Sequence, residues 1–152
     1  MMSSPHRRVN HDLRDLKNSD CNLIKGSTML EGTVLPTVNI DIMGPDNSLY
    51  AGELFKIQVQ FPPNYPFVAP IVTFIGPNIP VHPHIYSNGH ICVSTLGDDW
   101  SPANTLTTLC LSLISVLGSA EKKHRPPGDK FYVVTASQNP KESKFFYHDD
   151  KA

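Results

Sequence analysis

Residues 37–43, TVNIDIM, place Val38, Ile40 and Ile42 at every second position with polar neighbours between them. Residues 52–61, GELFKIQVQF, repeat the pattern with Ile57, Val59 and Phe61, less cleanly at Leu54 and Phe55. A period of two puts such side chains on one face of a strand. The intervening GPDNSLYAG is rich in Gly, Pro, Asp and Asn, so the two runs are predicted to form an antiparallel hairpin. A sheet built this way has an apolar face that another element must cover.

The cover is predicted downstream. A helix is expected to begin near Pro102, with Ser101 as its N-cap and proline in the first helical position. Leu106, Leu109, Cys110, Leu113, Val116 and Leu117 form its broad apolar face, and Gly118 ends it. Residues 7–18 read as a shorter amphipathic helix, with Val9, Leu13 and Leu16 on one side and basic residues on the other. TMLEGTVLP is a weak third strand and IVTFI a fourth, while PPNYPFVAP carries four of the fourteen prolines and is a fixed loop. The expected fold class is α/β (α+β): an N-terminal helix, a four-stranded antiparallel sheet and a long central helix. The 152 residues, 39% of them apolar, suit one domain spanning 1–152. Its core is expected at about 7–135, followed by a short or mobile tail over about 136–152, with one short helix on each side of Asn139–Pro140.

The net charge of −1 argues against nucleic acid as a partner. No run of about 18 apolar residues predicts a membrane span, and the N-terminus lacks the apolar segment of a secretory signal. Three cysteines cannot complete a disulfide framework. Cys21, Cys92 and Cys110 are expected as free thiols in a reducing compartment, cytoplasm or nucleus.

Residues 76–101 have almost no periodicity, and loops of that length are functional or disordered. HPHIYSNGHICVSTLGDDW places three histidines and a cysteine in eleven positions. A metal site would use His82, His84, His90 and Cys92, since zinc accepts imidazole and thiolate, but the spacing fits none of the common structural zinc patterns. A buried structural thiol suits Cys110, on the apolar helix face, better than Cys92. A nucleophile needs an activating base or an oxyanion donor, for which His84 and His90 are the local candidates.

A basic helix, three strands, FPPNYPFVAPIVTF, HPH, NGHIC and DDWSPANTL follow one another in this chain. In that order and spacing they resemble the ubiquitin-conjugating enzymes, over about residues 7–135. IPVHPHIYSNGHIC, RPPGDKFYV and FFYHDD are similar to one branch of that family, which modifies the α-amino groups of substrate N-termini. The resemblance implies that Cys92 accepts ubiquitin as a thioester from the activating enzyme and passes it to amines. It implies a structural role for His82 with Pro83. His84 stands where most of the family has Asn, and there it either donates to an oxyanion or supports the loop. The ligase-facing surface falls on Phe67, Pro102 and Ala103, with core burial as the other reading of Phe67. The activating-enzyme contact falls on Arg7, Arg8, Arg14 and Lys17. Implied partners are ubiquitin, its activating enzyme, RING- or U-box-type ligases and protein substrates with free N-termini. No metal or organic cofactor is implied, because ATP is used by the activating enzyme.

Two departures bear on the acceptor. Lysine-directed members have Asp two residues after the cysteine, where this chain has Ser94, and a further acidic gate residue whose place here falls near His124. Those carboxylates orient and help deprotonate lysine, so their absence points to α-amines. Two alternatives stay open: a carrier for another ubiquitin-like modifier, and an inert or metal-binding module of the same fold.

Overall fold

The computed structural model describes residues 4–142, with side chains described over 7–141. Helix α1 spans Ser4–Lys17, and the strands are β1 (Ile24–Met29), β2 (Thr37–Met43), β3 (Leu54–Gln60) and β4 (Ile71–Ile75). Helix α2 spans Leu106–Ser119 and α3 spans Asp129–Thr135, with single 3-10 turns at Ser94–Leu96 and Pro140–Glu142. The sheet is an antiparallel meander in the order β1-β2-β3-β4.

Register converts alternation into a core. Val38 pairs with Val59, Ile40 with Ile57 and Ile42 with Phe55. Val59 and Ile57 then pair with Val72 and Phe74 of β4. All of these side chains are buried on one face, each contributing about 1.5–3 kcal/mol relative to an exposed position. Leu106, Leu109, Cys110, Leu113, Ile114 and Leu117 of α2 close that face, and α1 packs on α2. Val116, expected in the buried set, is only half-buried, and Ile114 takes its place.

Two boundaries differ from expectation. The first strand is IKGSTM, upstream of the predicted TMLEGTVLP, most of which forms the turn into β2. An edge strand with one paired side needs little alternation, and its pattern is correspondingly faint. The central helix starts at Leu106 rather than Pro102. Thr105 Oγ1 accepts the Thr108 N–H at 3.2 Å, and the Thr108 hydroxyl accepts the Thr105 N–H at 2.8 Å. That reciprocal capping box outcompetes Ser101, whose Oγ instead accepts the Ala103 N–H at 3.1 Å within a separate turn.

After α3, Pro140 is buried and Lys141 Nζ donates to the Ala69 carbonyl at 2.7 Å. This part of the expected loose tail is therefore attached to the domain. Residues 143–152, the rest of that tail, lie outside the described residues. Among the described residues, no helix is long and apolar enough to cross a membrane.

Candidate active site around Cys92

Residues 84–92 form a small hairpin. Ile85 pairs with Ile91, the Cys92 N–H donates to the His84 carbonyl at 2.8 Å, and the Tyr86 N–H donates to the His90 carbonyl at 2.9 Å. Asn88 Oδ1 accepts the His90 N–H at 3.1 Å across the turn. Alternation then divides the side chains. Ile85 and Ile91 enter the core. His84, Tyr86, His90 and Cys92 share the opposite face, with His84 directly across from Cys92.

Gly89 seats this hairpin against β4. The Phe74 N–H donates to the Gly89 carbonyl at 2.9 Å. At Gly89 φ is +91°, and a Cβ there would lie 2.0 Å from the Phe74 carbonyl oxygen. Only glycine permits that approach.

His82 holds the entry to the hairpin. It is fully buried. Its Nδ1 accepts the His84 N–H at 2.9 Å, so the ring donates from Nε2 to the Val116 carbonyl of α2 at 3.0 Å. Burial lowers its pKa to about 4, against the opposing effect of the Val116 bond and assisted by His84 and His124. The ring is thus neutral at pH 7, with both nitrogens engaged. That occupancy removes His82 from an H-x-H metal site. Among the described residues, no group of three or more His, Cys, Asp or Glu side chains is placed to hold a metal ion.

Arg125 grips the same loop from outside. Its Nη1 donates to the Pro80 carbonyl at 2.7 Å and the Ile85 carbonyl at 3.2 Å, and its Nη2 donates to the Ile79 carbonyl at 3.3 Å. The Tyr50 hydroxyl donates to the Val81 carbonyl. Segment 79–85 is therefore held from three separate parts of the chain: helix α2, the turn before β3 and the loop after α2.

Helix α3 meets the hairpin on the Cys92 face, where His90 Nδ1 lies 2.7 Å from the Tyr132 hydroxyl. Burial raises the Tyr86 pKa, with smaller contributions from Cys92, Tyr132 and Asp129. Burial also lowers that of His90, against a hydrogen bond to the Gln138 backbone. Ser94 opens the 3-10 turn just after Cys92, and its carbonyl accepts the Gly97 and Asp99 N–H groups, each at 2.9 Å. His124 is exposed beside Arg125, with Nδ1 3.1 Å from the Arg125 carbonyl. Cys92 is 5% exposed, while Cys110 is sealed in the core, where burial pushes its thiol up to about 12. Cys21 is half-buried and packs against the core.

A second surface lies at the start of α2. Phe67 is 79% exposed, which overturns the core reading of that residue, and Pro102 and Ala103 are exposed as well. Trp100 Nε1 donates to the Pro66 carbonyl at 2.9 Å and joins the two loops. Arg7, Arg14 and Lys17 project from α1 into solvent. Arg8 does not. It lies 3.1 Å from Asp12, which is fully buried, and donates to the Pro102 and Asn104 carbonyls at 3.0 and 2.7 Å. The Tyr65 hydroxyl donates to the other Asp12 oxygen. A buried carboxylate requires such partners, so Arg8 ties α1 to the Pro102 loop. The i,i+4 spacing of Arg8 and Asp12 was the available signal for that pair. The RPPGDKFYV motif contains Arg125 and Tyr132 but assigned neither a role, and nothing local marked Tyr50.

The pattern of ubiquitin-conjugating enzymes matches residues 8–146 of this chain. The chain belongs to the ubiquitin-conjugating enzyme family. It is 46% identical over 152 residues to the probable ubiquitin-conjugating enzyme E2 W-A of Danio rerio, covering 98% of this chain and 99% of that protein. It is 42% identical over 150 residues to ubiquitin-conjugating enzyme E2 W of Caenorhabditis elegans, covering 99% of each. The crystal structure of the ubiquitin-conjugating enzyme UbcA1 from Agrocybe aegerita superposes with a TM-score of 0.82 at 39% identity, covering 92% of this chain and all of that one. That of an enzyme from Plasmodium falciparum gives 0.69 at 36% identity, over 76% of this chain and 99% of that one. Membership implies ubiquitin, an activating enzyme and a ligase as general partners.

Proposed function

We propose that Cys92 carries ubiquitin as a thioester and delivers it, with a RING- or U-box-type ligase, to the α-amino groups of substrate N-termini. The observation that carries this reading is the placement of Cys92 opposite His84 on one face of a hairpin held by His82 and Arg125. In the loading step the Cys92 thiolate attacks the thioester carbonyl on the activating enzyme, whose own thiolate departs. In the transfer step a neutral amine attacks the Cys92 thioester, the oxyanion collapses, the Cys92 thiolate leaves and the nitrogen sheds its proton to solvent. No cofactor enters either step.

By the resemblance, Ser94 stands where lysine-directed members carry Asp and their further acidic gate residue falls near His124, and that departure supports the α-amine acceptor. At pH 7 roughly one α-amine in seven is neutral, against roughly one lysine in 2,500. The α-amine therefore needs less help from a base. Phe67, Pro102 and Ala103 form the ligase surface in this reading, and the exposed Arg7, Arg14 and Lys17 face the activating enzyme, with Arg8 setting the angle of α1. The free thiols suit a cytoplasmic or nuclear setting.

The test is a charging reaction with activating enzyme, ATP and ubiquitin. Wild type gives a thiol-sensitive adduct, Cys92→Ala gives none and Cys92→Ser gives a thiol-resistant ester. Charging only with another modifier overturns the choice of ubiquitin. The charged enzyme is then offered a peptide with one free N-terminus and one lysine, and a lysine product sinks the α-amine assignment.

A further inference from the structure

Tyr132 of α3 lies flat on Tyr86, with ring centroids 3.8 Å apart and planes at 22°. The His90 ring meets Tyr132 edge-on at 5.6 Å, with the hydroxyl 2.7 Å from Nδ1. Asp129, at the start of α3, accepts the Ser87 N–H at 2.8 Å. A helix of seven residues has little stability of its own, and this one is fastened to the Cys92 hairpin at two levels. Tyr86 is diagonal to Cys92 on their shared face, a separation that an aromatic side chain spans.

We propose that the Tyr86–Tyr132 stack, locked by His90, is the wall of the acceptor site beside Cys92, against which the first peptide unit of a substrate N-terminus is laid. This rests on the α-amine reading and says how that acceptor is held. An α-amine and a lysine amine differ in their surroundings. The α-amine's own Cα bears a side chain, and the next Cα is about 3.8 Å further on. A lysine amine instead ends a chain of four methylenes. A site for the former must offer a broad surface close to the nucleophile. A stacked aromatic pair offers that area with few rotatable bonds and no formal charge. Residues 84–92 contain no Asp or Glu, and Asp129 is engaged at Ser87. Neither ring of the stack carries a formal charge, although Asp129 acts electrostatically on Tyr86. Tyr86 meets the acceptor, while Tyr132 acts through it and is a positioning residue.

The test is single-turnover discharge of the charged full-length enzyme onto a lysine-free peptide with one α-amine, over a range of peptide concentrations. Tyr132→Ala is expected to raise the half-saturating concentration about tenfold while the limiting rate falls by less than about threefold. Tyr132→Phe keeps the stack, loses the hydroxyl and falls between. Phe131→Ala, at a neighbouring position that is 75% exposed, behaves as wild type. A loss confined to the limiting rate would make the stack a support for the hairpin alone and overturn the proposal, as would no change in either quantity. If wild type ignores this peptide but discharges onto one whose only amine is a lysine, the α-amine reading has failed and the wall falls with it.

Discussion

Cys92 and His84 are cross-strand neighbours: the Cys92 N–H donates to the His84 carbonyl at 2.8 Å, and both side chains leave the same face of the hairpin. The pairing itself is local to the hairpin, and Phe74, Val116 and Arg125 hold that hairpin in place. The pairing also explains why substitution at position 84 should affect the transfer step directly.

Removing the ring and moving the backbone are separable at His84. His84→Ala should slow discharge of the charged enzyme to an amine by on the order of 10²-fold, the effect of losing one oxyanion donor. His84→Asn keeps an N–H donor on the same face and should retain most of the activity. Single-turnover discharge, with thermal melts as a control, makes the comparison. Equal losses in both variants, with unchanged melting, would exclude donation by the ring.

Arg125 should behave as a clamp. Its guanidinium reaches three carbonyls of segment 79–85, a fork that the point charge of lysine cannot reproduce. Arg125→Ala and Arg125→Lys should each lose about 2 kcal/mol, a figure discounted for partial exposure. Amide exchange of residues 79–86 should accelerate in both. Protection that stays at the wild-type level would show that Tyr50 and His82 hold the loop by themselves.

How far the sequence revealed this arrangement depends on the kind of interaction. Alternation exposed β2 and β3, because burying one face of a central strand leaves a period of two. The apolar stripe exposed α2 for the analogous reason. The 84–92 hairpin left no such trace: its alternation is His, Ile, Tyr on one arm and His, Ile, Cys on the other, and both imidazoles count as polar. His82 was legible only through a family resemblance. Arg125 and Tyr132 act through backbone carbonyls and ring stacking from 40 or more residues away. Such contacts have no period, and α3 is too short to show one. Asp12 drew no reading of its own from the sequence, because a buried carboxylate beside a helix arginine leaves the same pattern as an exposed pair.

Gly89 is held by its contact with β4. At φ of +91°, Gly89→Ala carries backbone strain, and its Cβ would meet the Phe74 carbonyl at 2.0 Å. The loss should be about 3 kcal/mol or more. For a chain of this size that lowers the melting temperature by roughly 6–12 °C. Gly52, at φ of +76°, faces open space. Gly52→Ala should therefore lose only about 1 kcal/mol, from strain alone. Thermal melts of the pair separate the two contributions, and equal shifts would refute the close approach.

His82 should make the fold sensitive to acid. Its folded pKa is lowered from 6.5 to about 4, chiefly by burial. The unfolded chain therefore binds the proton first as pH falls. Its contribution to stability is complete above pH 6.5, declines through the interval between 6.5 and about 4 and is absent below it. The full swing is about 3 kcal/mol. His90, lowered in the same direction by burial, adds to the same side. Denaturant titrations at pH 7.5, 6 and 5 should show wild type losing stability stepwise. His82→Gln should be weaker at pH 7.5 and should follow a flatter course to pH 5, since the titrating group is gone. Parallel curves for the two proteins would mean that His82 is not the group that couples protonation to unfolding.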